Sequence, residues 1–185
     1  MRPRDPLTQH ARAFVYQYHG HLNEAIAVYN WLLTIDPRYE NGYLNRGMAY
    51  LHKGDSAQAL ADVNAGLDVN PNLPNLYNGR GNVYFVQRDY ALALADFQRA
   101  EELVSSEHSR AGIAVTLFAL GQVEEAGQLW RELSAENAKY AEIDRVKKKL
   151  GWAEPLVEEG RRLIAGLNPQ AVAQAMAGVT SVVSN

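Results

Sequence analysis

The chain has 185 residues, 47% of them apolar, and 18 Lys plus Arg against 21 Asp plus Glu leave a net charge of −3. That suits one domain or a short repeat array with a real core, and it removes the basic excess that draws chains onto nucleic acid or acidic lipid. No cysteine is present, which excludes disulfides, thiolate zinc sites and cysteine nucleophiles; no apolar run reaches the length of a spanning helix, and the expected location is the cytoplasm.

In chain order, the first element carries Tyr16 and breaks at Gly20. An apolar face of Ala25, Ile26, Tyr29, Leu32 and Leu33 follows and stops at Asp36-Pro37. Tyr43, Gly47 and Tyr50 recur at i, i+4 and i+7, one helical face, before Gly54-Asp55 interrupts it as a C-terminal glycine and turn residue should. Ala59, Leu60, Val63 and Leu67 form the next face, ended by Asn70-Pro71 because the residue before proline disfavours the helical region. Tyr84 and then Ala93, Leu94, Phe97 and Ala100 repeat this alternation, and Leu117, Gly121, Ala126 and Trp130 repeat it with no closing proline. Tyr140, Ile143, Val146 and Leu150 share one face, Gly151 marks a turn, Pro155 lies near a helix start, and Leu156, Leu163, Ile164 and Leu167 come after it. Nothing alternates over a strand length, so the predicted fold is all-α.

The markers have a period. Ala25, Ala59, Ala93 and Ala126 stand 34, 34 and 33 residues apart, and Tyr16, Tyr50 and Tyr84, Pro37 and Pro71, and Arg46-Gly47 and Arg80-Gly81 keep the same step. The pattern Tyr-x-x-Arg-Gly-x-x-Tyr-x-x-x-Gly-x-x-x-x-Ala, closing on Asn-Pro or Asp-Pro, resembles the tetratricopeptide repeat, an antiparallel helix pair. The resemblance implies a right-handed superhelix, or α-solenoid, of three clear helix-turn-helix repeats (6–39, 40–73, 74–107) plus one to two degenerate ones (107–140 and a hairpin at 141–168), an array over 1–168. Residues 169–185 then read as a short capping helix and a frayed tail. It also implies that Ala13, Gly47, Gly81 and Ala114 are small so that paired helices approach closely, with Tyr16, Tyr50 and Tyr84 filling the gaps.

By the same resemblance the concave face is lined by the first helix of each pair: Leu7, His10, Ala11, Phe14, Gln17 and Tyr18, then Asn41, Leu44, Asn45, Met48, Leu51 and His52. Asn75, Asn78, Asn82, Phe85 and Val86 follow, and then His108, Ala111, Val115 and Phe118. The set is nearly free of charge. Phe14, Tyr18, Leu44, Met48, Leu51 and Phe85 suit apolar side chains, His52 and Asn41 border them, and Asn45, Asn78 and Asn82 each offer a donor and an acceptor to a peptide backbone. The Lys, Asn and Arg clamp with which related co-chaperones hold a C-terminal carboxylate is missing, since His10, Phe14, Asn45, Asn75 and Gly79 stand there and only Asn45 fits. Apolar members of the face are also open to cover by the chain's own terminal segment, for which the tail from Gln170 is a candidate.

Catalytic chemistry is not indicated. The histidines fall at no metal-ligand spacing, no nucleophile elbow or phosphate loop is present, and no metal or cofactor is expected. Arg145, Lys147, Lys148 and Lys149 form a local basic patch that reads mainly as cations favoured at a helix C-terminus, and secondarily as a contact for phosphate or an acidic surface. Trp31 stands where the family exposes a polar residue, an internal contact or an interface. The resulting expectation is a non-enzymatic adaptor binding a partner's peptide or amphipathic helix in its groove. The alternative is a self-associating assembly protein whose tail or surface occupies another copy's groove.

Overall fold

A computed structural model describes residues 5–167; the tail expected at 169–185 lies outside them. The described residues form ten α-helices, a short 3₁₀ turn and no strand. Helices α1 (Pro6–Tyr18) and α2 (Leu22–Ile35), α3 (Glu40–His52) and α4 (Ser56–Val69), α5 (Pro74–Val86) and α6 (Tyr90–Leu103), and α7 (Glu107–Ala119) and α8 (Val123–Glu136) are successive antiparallel pairs. The 3₁₀ turn (Ala138–Ala141) leads into α9 (Ile143–Leu150) and α10 (Glu154–Leu167).

Local chemistry sets the boundaries. Asp5, Asp55 and Ser106 accept the backbone N–H of Thr8, Gln58 and Ser109 at 3.0, 3.1 and 3.1 Å, satisfying donors that a helix start leaves open. Pro6 and Pro74 occupy first turns, where a missing N–H costs nothing. Three pairs turn on Gly20, Gly54 and Gly121 at φ +79°, +89° and +82°, and the third pair places Arg88 there at φ +65°. Arg88 thus holds a left-handed conformation that glycine adopts at less cost.

Within each pair the small residues meet as the resemblance implies. Ala13, Ala25, Ala59, Ala93, Ala114 and Ala126 are fully buried, and a Cβ added at Gly47 would stand 3.1 Å from the Ala59 carbonyl oxygen. Tyr16, Tyr50 and Tyr84 are half-buried beside them.

Two arginines tie consecutive pairs together. Arg46 donates through Nε and Nη2 to both carboxylate oxygens of Asp62 at 2.8 and 2.5 Å and through Nη1 to Asn30 at 2.7 Å. Arg80 repeats the arrangement one unit on, with Asp96 at 2.7 and 2.8 Å and Asn64 at 3.0 Å. Each guanidinium therefore joins three helices: its own, the following one and the second helix of the preceding pair.

Helices α9 and α10 pack against each other, but α10 does not continue the stack as one more nearest-neighbour unit. It packs on α7 and α8 and also reaches α5, two units back.

Candidate functional site

The inner face of α1, α3, α5 and α7 falls into an open half and a covered half. On α1, Leu7, Ala11, Phe14 and Tyr18 make one stripe, and Leu7, Phe14 and Tyr18 are 79%, 59% and 63% exposed. Asn41, Leu44, Asn45 and Met48 of α3 adjoin it, all half-buried. Gly79 of α5 makes room for that row, since a Cβ there would lie 2.5 Å from Leu44 Cδ1 and 3.6 Å from Met48 Cε. His10 does not serve the groove as expected. Its Nδ1 is 2.7 Å from the Tyr39 hydroxyl and its ring stands edge-on to Tyr29 and Tyr39, so it belongs to the contact behind α1.

The α5 and α7 half is covered. Leu51, Phe85, Ala111 and Val115, four residues expected to face a ligand, share one apolar core with Trp152, Leu156, Val157 and Leu163 of the C-terminal hairpin. A Cβ at Gly160 would lie 3.6 Å from Val115 Cγ2. The α9–α10 turn reaches α3, where His52 Nε2 donates to the Gly151 carbonyl at 3.2 Å; because a carbonyl only accepts, Nε2 carries the proton. The self-cover foreseen from residue 170 onward is thus supplied, among the described residues, by 143–167.

Asn78 and Asn82 are 1% exposed, so the amides expected to pair with a peptide are closed off. Their orientation follows from α5 by elimination. Leu76 meets Gly66 of α4, Gly79 meets α3 and Arg80 reaches Asp96 of α6, which leaves Asn78, Asn82 and Phe85, at i, i+4 and i+7, to the side where α7 and α10 lie. Neither amide atom of Asn78, nor Asn82 Oδ1, His108 Nε2 or Trp152 Nε1, has a hydrogen-bond partner among the described atoms. Buried polar atoms are usually paired, and each one left unpaired costs about 1–3 kcal/mol.

Electrostatics concentrates where the hairpin meets α7. Glu107 forms ion pairs with Lys149 and Lys139 and accepts from Asn137 Nδ2 at 2.9 Å. Lys149, then Asn137, hold its carboxyl down at about 2. Burial, with Lys149 nearby, lowers the neighbouring His108 to about 4. An imidazole kept neutral in the fold and free to protonate when released ties stability to pH. The contribution is fully present above the ordinary histidine value near 6.5 and is lost as pH falls from there toward 4, whereas Glu107 stays ionised throughout. Lowering the pH from 7.5 to 4.5 is expected to destabilise the protein by on the order of 2–3 kcal/mol through His108, and His108→Gln is expected to flatten that part of the profile in urea titrations; an unchanged profile in the variant would contradict it.

The basic segment is largely neutralised. Arg145 pairs with Glu142 at 2.7 Å, Lys147 with Glu154 and Lys149 with Glu107, while Lys148 is exposed. Trp31 is half-buried against the Ala13, Ala25, Tyr29 and Leu32 cluster, and with Gln9, Ala27 and Val28 it lines a shallow hollow at the outer edge of the first pair. Among the described residues no group of three metal-ligating side chains forms, and no helix is long and apolar enough to cross a membrane.

No match was found among curated proteins. Solved structures share the architecture. A thermophilic tetratricopeptide protein of Thermus thermophilus aligns with a TM-score of 0.70 at 26% identity over 80% of this chain and 81% of its own. The first tetratricopeptide domain of Spaghetti (RPAP3), bound to the HSP90 peptide SRMEEVD, aligns at 0.58 and 25% identity over 63% of this chain and 93% of its own. YrrB, described as having an unusual peptide-binding site, aligns at 0.60 and 19% identity over 96% and 93% and shares the fold. The tetratricopeptide repeat profile matches residues 10–75, 44–108 and 78–141. With the 34-residue period and the stacked helix pairs, these matches place the chain in the tetratricopeptide repeat family, whose fold commonly mediates protein–protein interaction.

Proposed function

We propose that the protein is a non-enzymatic adaptor that binds an apolar peptide or amphipathic helix of a partner on the open half of its inner face. The observation that carries this reading is the α1 stripe: Leu7, Phe14 and Tyr18 stand in line and exposed, and the row Asn41, Leu44, Asn45 and Met48 runs beside them. Contiguous exposed apolar residues rimmed by neutral amides fit a partner's apolar side chains, while Asn41 and Asn45 fit its backbone. An acidic peptide such as the SRMEEVD bound in the Spaghetti complex is the poorer fit, since by the family resemblance His10, Asn75 and Gly79 stand at the cationic positions of a carboxylate clamp and Phe14 at an amide position.

Selection of peptides from a displayed random library against the full chain tests this. Peptides enriched in aromatic and aliphatic residues are expected. Phe14→Ser combined with Tyr18→Ser is expected to weaken them at least tenfold, the loss usual for central anchors, with an unchanged melting temperature because both side chains are solvent-exposed. Asn45→Ala is expected to weaken them several-fold. Undiminished binding by the double variant would place the site elsewhere. A shift of the wild type, but not the variant, to dimer in sedimentation would instead assign the stripe to a second copy.

A further inference from the structure

We propose that the α9–α10 hairpin is a displaceable occupant of the α5–α7 half of the groove, holding the place of a partner's amphipathic helix that carries the same anchors. This rests on the reading of the inner face as the binding surface.

Helix α10 shows what the covered half accepts. Leu156, Val157, Gly160 and Leu163 are buried, while Glu154, Glu158 and Arg162 face solvent. With Trp152 ahead of the helix, the anchors read large aromatic, Leu four residues on, a small residue at eight and Leu at eleven. The small residue serves the hairpin's own packing, where a Cβ at Gly160 would stand 2.6 Å from Ile143 Cδ1 of α9, while the groove side, with Val115 Cγ2 at 3.6 Å, accepts it at ordinary contact distance. A cation before the aromatic anchor, the place held by Lys149, meets Glu107 at the rim.

The fit is apolar but its polar part is poor. Asn78, Asn82, His108 and Trp152 bring buried polar atoms to this interface with no partner among the described atoms. An interface selected only for permanent folding has no use for two buried asparagines, whereas a ligand with hydroxyl or amide groups at those points pairs with them and gains on the resident hairpin. The geometry also supplies a pivot. Trp130 Nε1 donates to the Tyr140 carbonyl at 3.1 Å and fixes the 3₁₀ turn to α8, and Glu142, extended at φ −125°, follows at once. Among the described residues, the polar ties from beyond that pivot to the repeat helices are few: the Lys149–Glu107 ion pair at the exposed rim and the His52–Gly151 bond. A tethered hairpin competes with an incoming helix at high effective concentration, so it sets a threshold for partner binding.

The absence of cysteine makes a direct test simple. Spin labels at Lys148→Cys and Ala61→Cys, both exposed, report the distance from the hairpin to α4 in the full chain. The probe is a synthetic peptide copying residues 147–167. On the wild-type background weak binding is expected. Trp152→Ala, which removes the first anchor, is expected to bind it at least tenfold more tightly and to show a longer, broader distance distribution once it is added. As a second arm that keeps the anchor, Gly127→Cys with Leu167→Cys in the unlabelled chain closes a disulfide between α8 and α10, at a place where a Cβ on Gly127 would stand 2.8 Å from the Leu167 Cδ2 that the second change removes; peptide binding is expected to vanish when it is oxidised and to return on reduction. Equal binding in oxidised and reduced forms, or no gain in Trp152→Ala with intact helicity, overturns the proposal and makes the hairpin a fixed cap. Library-selected peptides that still depend on Phe14 in that event leave the adaptor reading standing, and loss of those peptides as well removes both.

Discussion

Replacing Phe97 by alanine is expected to lower the unfolding free energy by about 3–5 kcal/mol. The ring is fully buried on α6 and held between two glycines of other helices. A Cβ added at Gly81 of α5 would stand 3.0 Å from it, and one at Gly112 of α7 2.5 Å from it. Phe97 is therefore the contact through which the third pair packs onto the fourth, and its removal leaves a void lined by helix backbone that has no side chains to fill it. The converse change follows from the same geometry. Gly112→Ala gains about 1 kcal/mol in helix propensity, but it drives a methyl into a rigid ring, and overpacking of that kind costs about 1–3 kcal/mol; the net is expected to be destabilising. Phe97→Leu combined with Gly112→Ala should then lose less than the two single changes added together, a coupling that a double-mutant cycle in urea reads directly. A Phe97→Ala loss below about 1 kcal/mol would show that the array closes around the gap.

Arg80→Met is expected to cost about 3 kcal/mol, the lower end for breaking a buried ion pair, because the Arg80 side chain keeps 24% of its exposure. The loss comes from what remains: the Asp96 carboxylate, 9% exposed, is left buried without either donor. Arg80→Met combined with Asp96→Leu is expected to recover most of the stability, since the pair is traded for apolar packing of similar volume. Asn64→Ala removes only the leg to the preceding unit and should cost about 1 kcal/mol. Urea unfolding of the three variants checks the order. A single variant no worse than the double would mean that Asp96 finds another partner.

How much of this was legible follows from the range of each interaction. The helix pairs could be read because their signals are local: Gly54-Asp55, Asn70-Pro71 and the i, i+4, i+7 faces each act within a turn or two, and the 34-residue step adds agreement between units. Arg46 and Arg80 stood out as markers, yet their role did not, because Asp62 and Asp96 lie 16 residues ahead and Asn30 and Asn64 16 residues behind. A search for the shared period of Asn30 and Asn64, and of Asp62 and Asp96, would have found them. The apolar face of 140–150 was visible, but where it docks was not. Folding back over α5 and α7 rather than stacking onward depends on long-range fit: Gly160 against Val115 of α7, Leu167 against Gly127 of α8. For that reason Asn78, Asn82 and Phe85 read as exposed ligand contacts and prove buried. The partners of the basic run 145–149 were hidden for the same reason, since Glu107 and Glu154, which pair with Lys149 and Lys147, come from other elements.

The central claim is that partners are taken on the inner face, first on α1 and α3. Amide NMR of the full chain during titration with a library-selected peptide tests it most directly. Shifts are expected to begin along Leu7, Phe14, Tyr18, Asn41, Asn45 and Met48, with α2 and α4 on the outer layer silent. Shifts confined to outer-layer residues such as Ile35 and Leu92, with the α1 stripe unmoved, would contradict it.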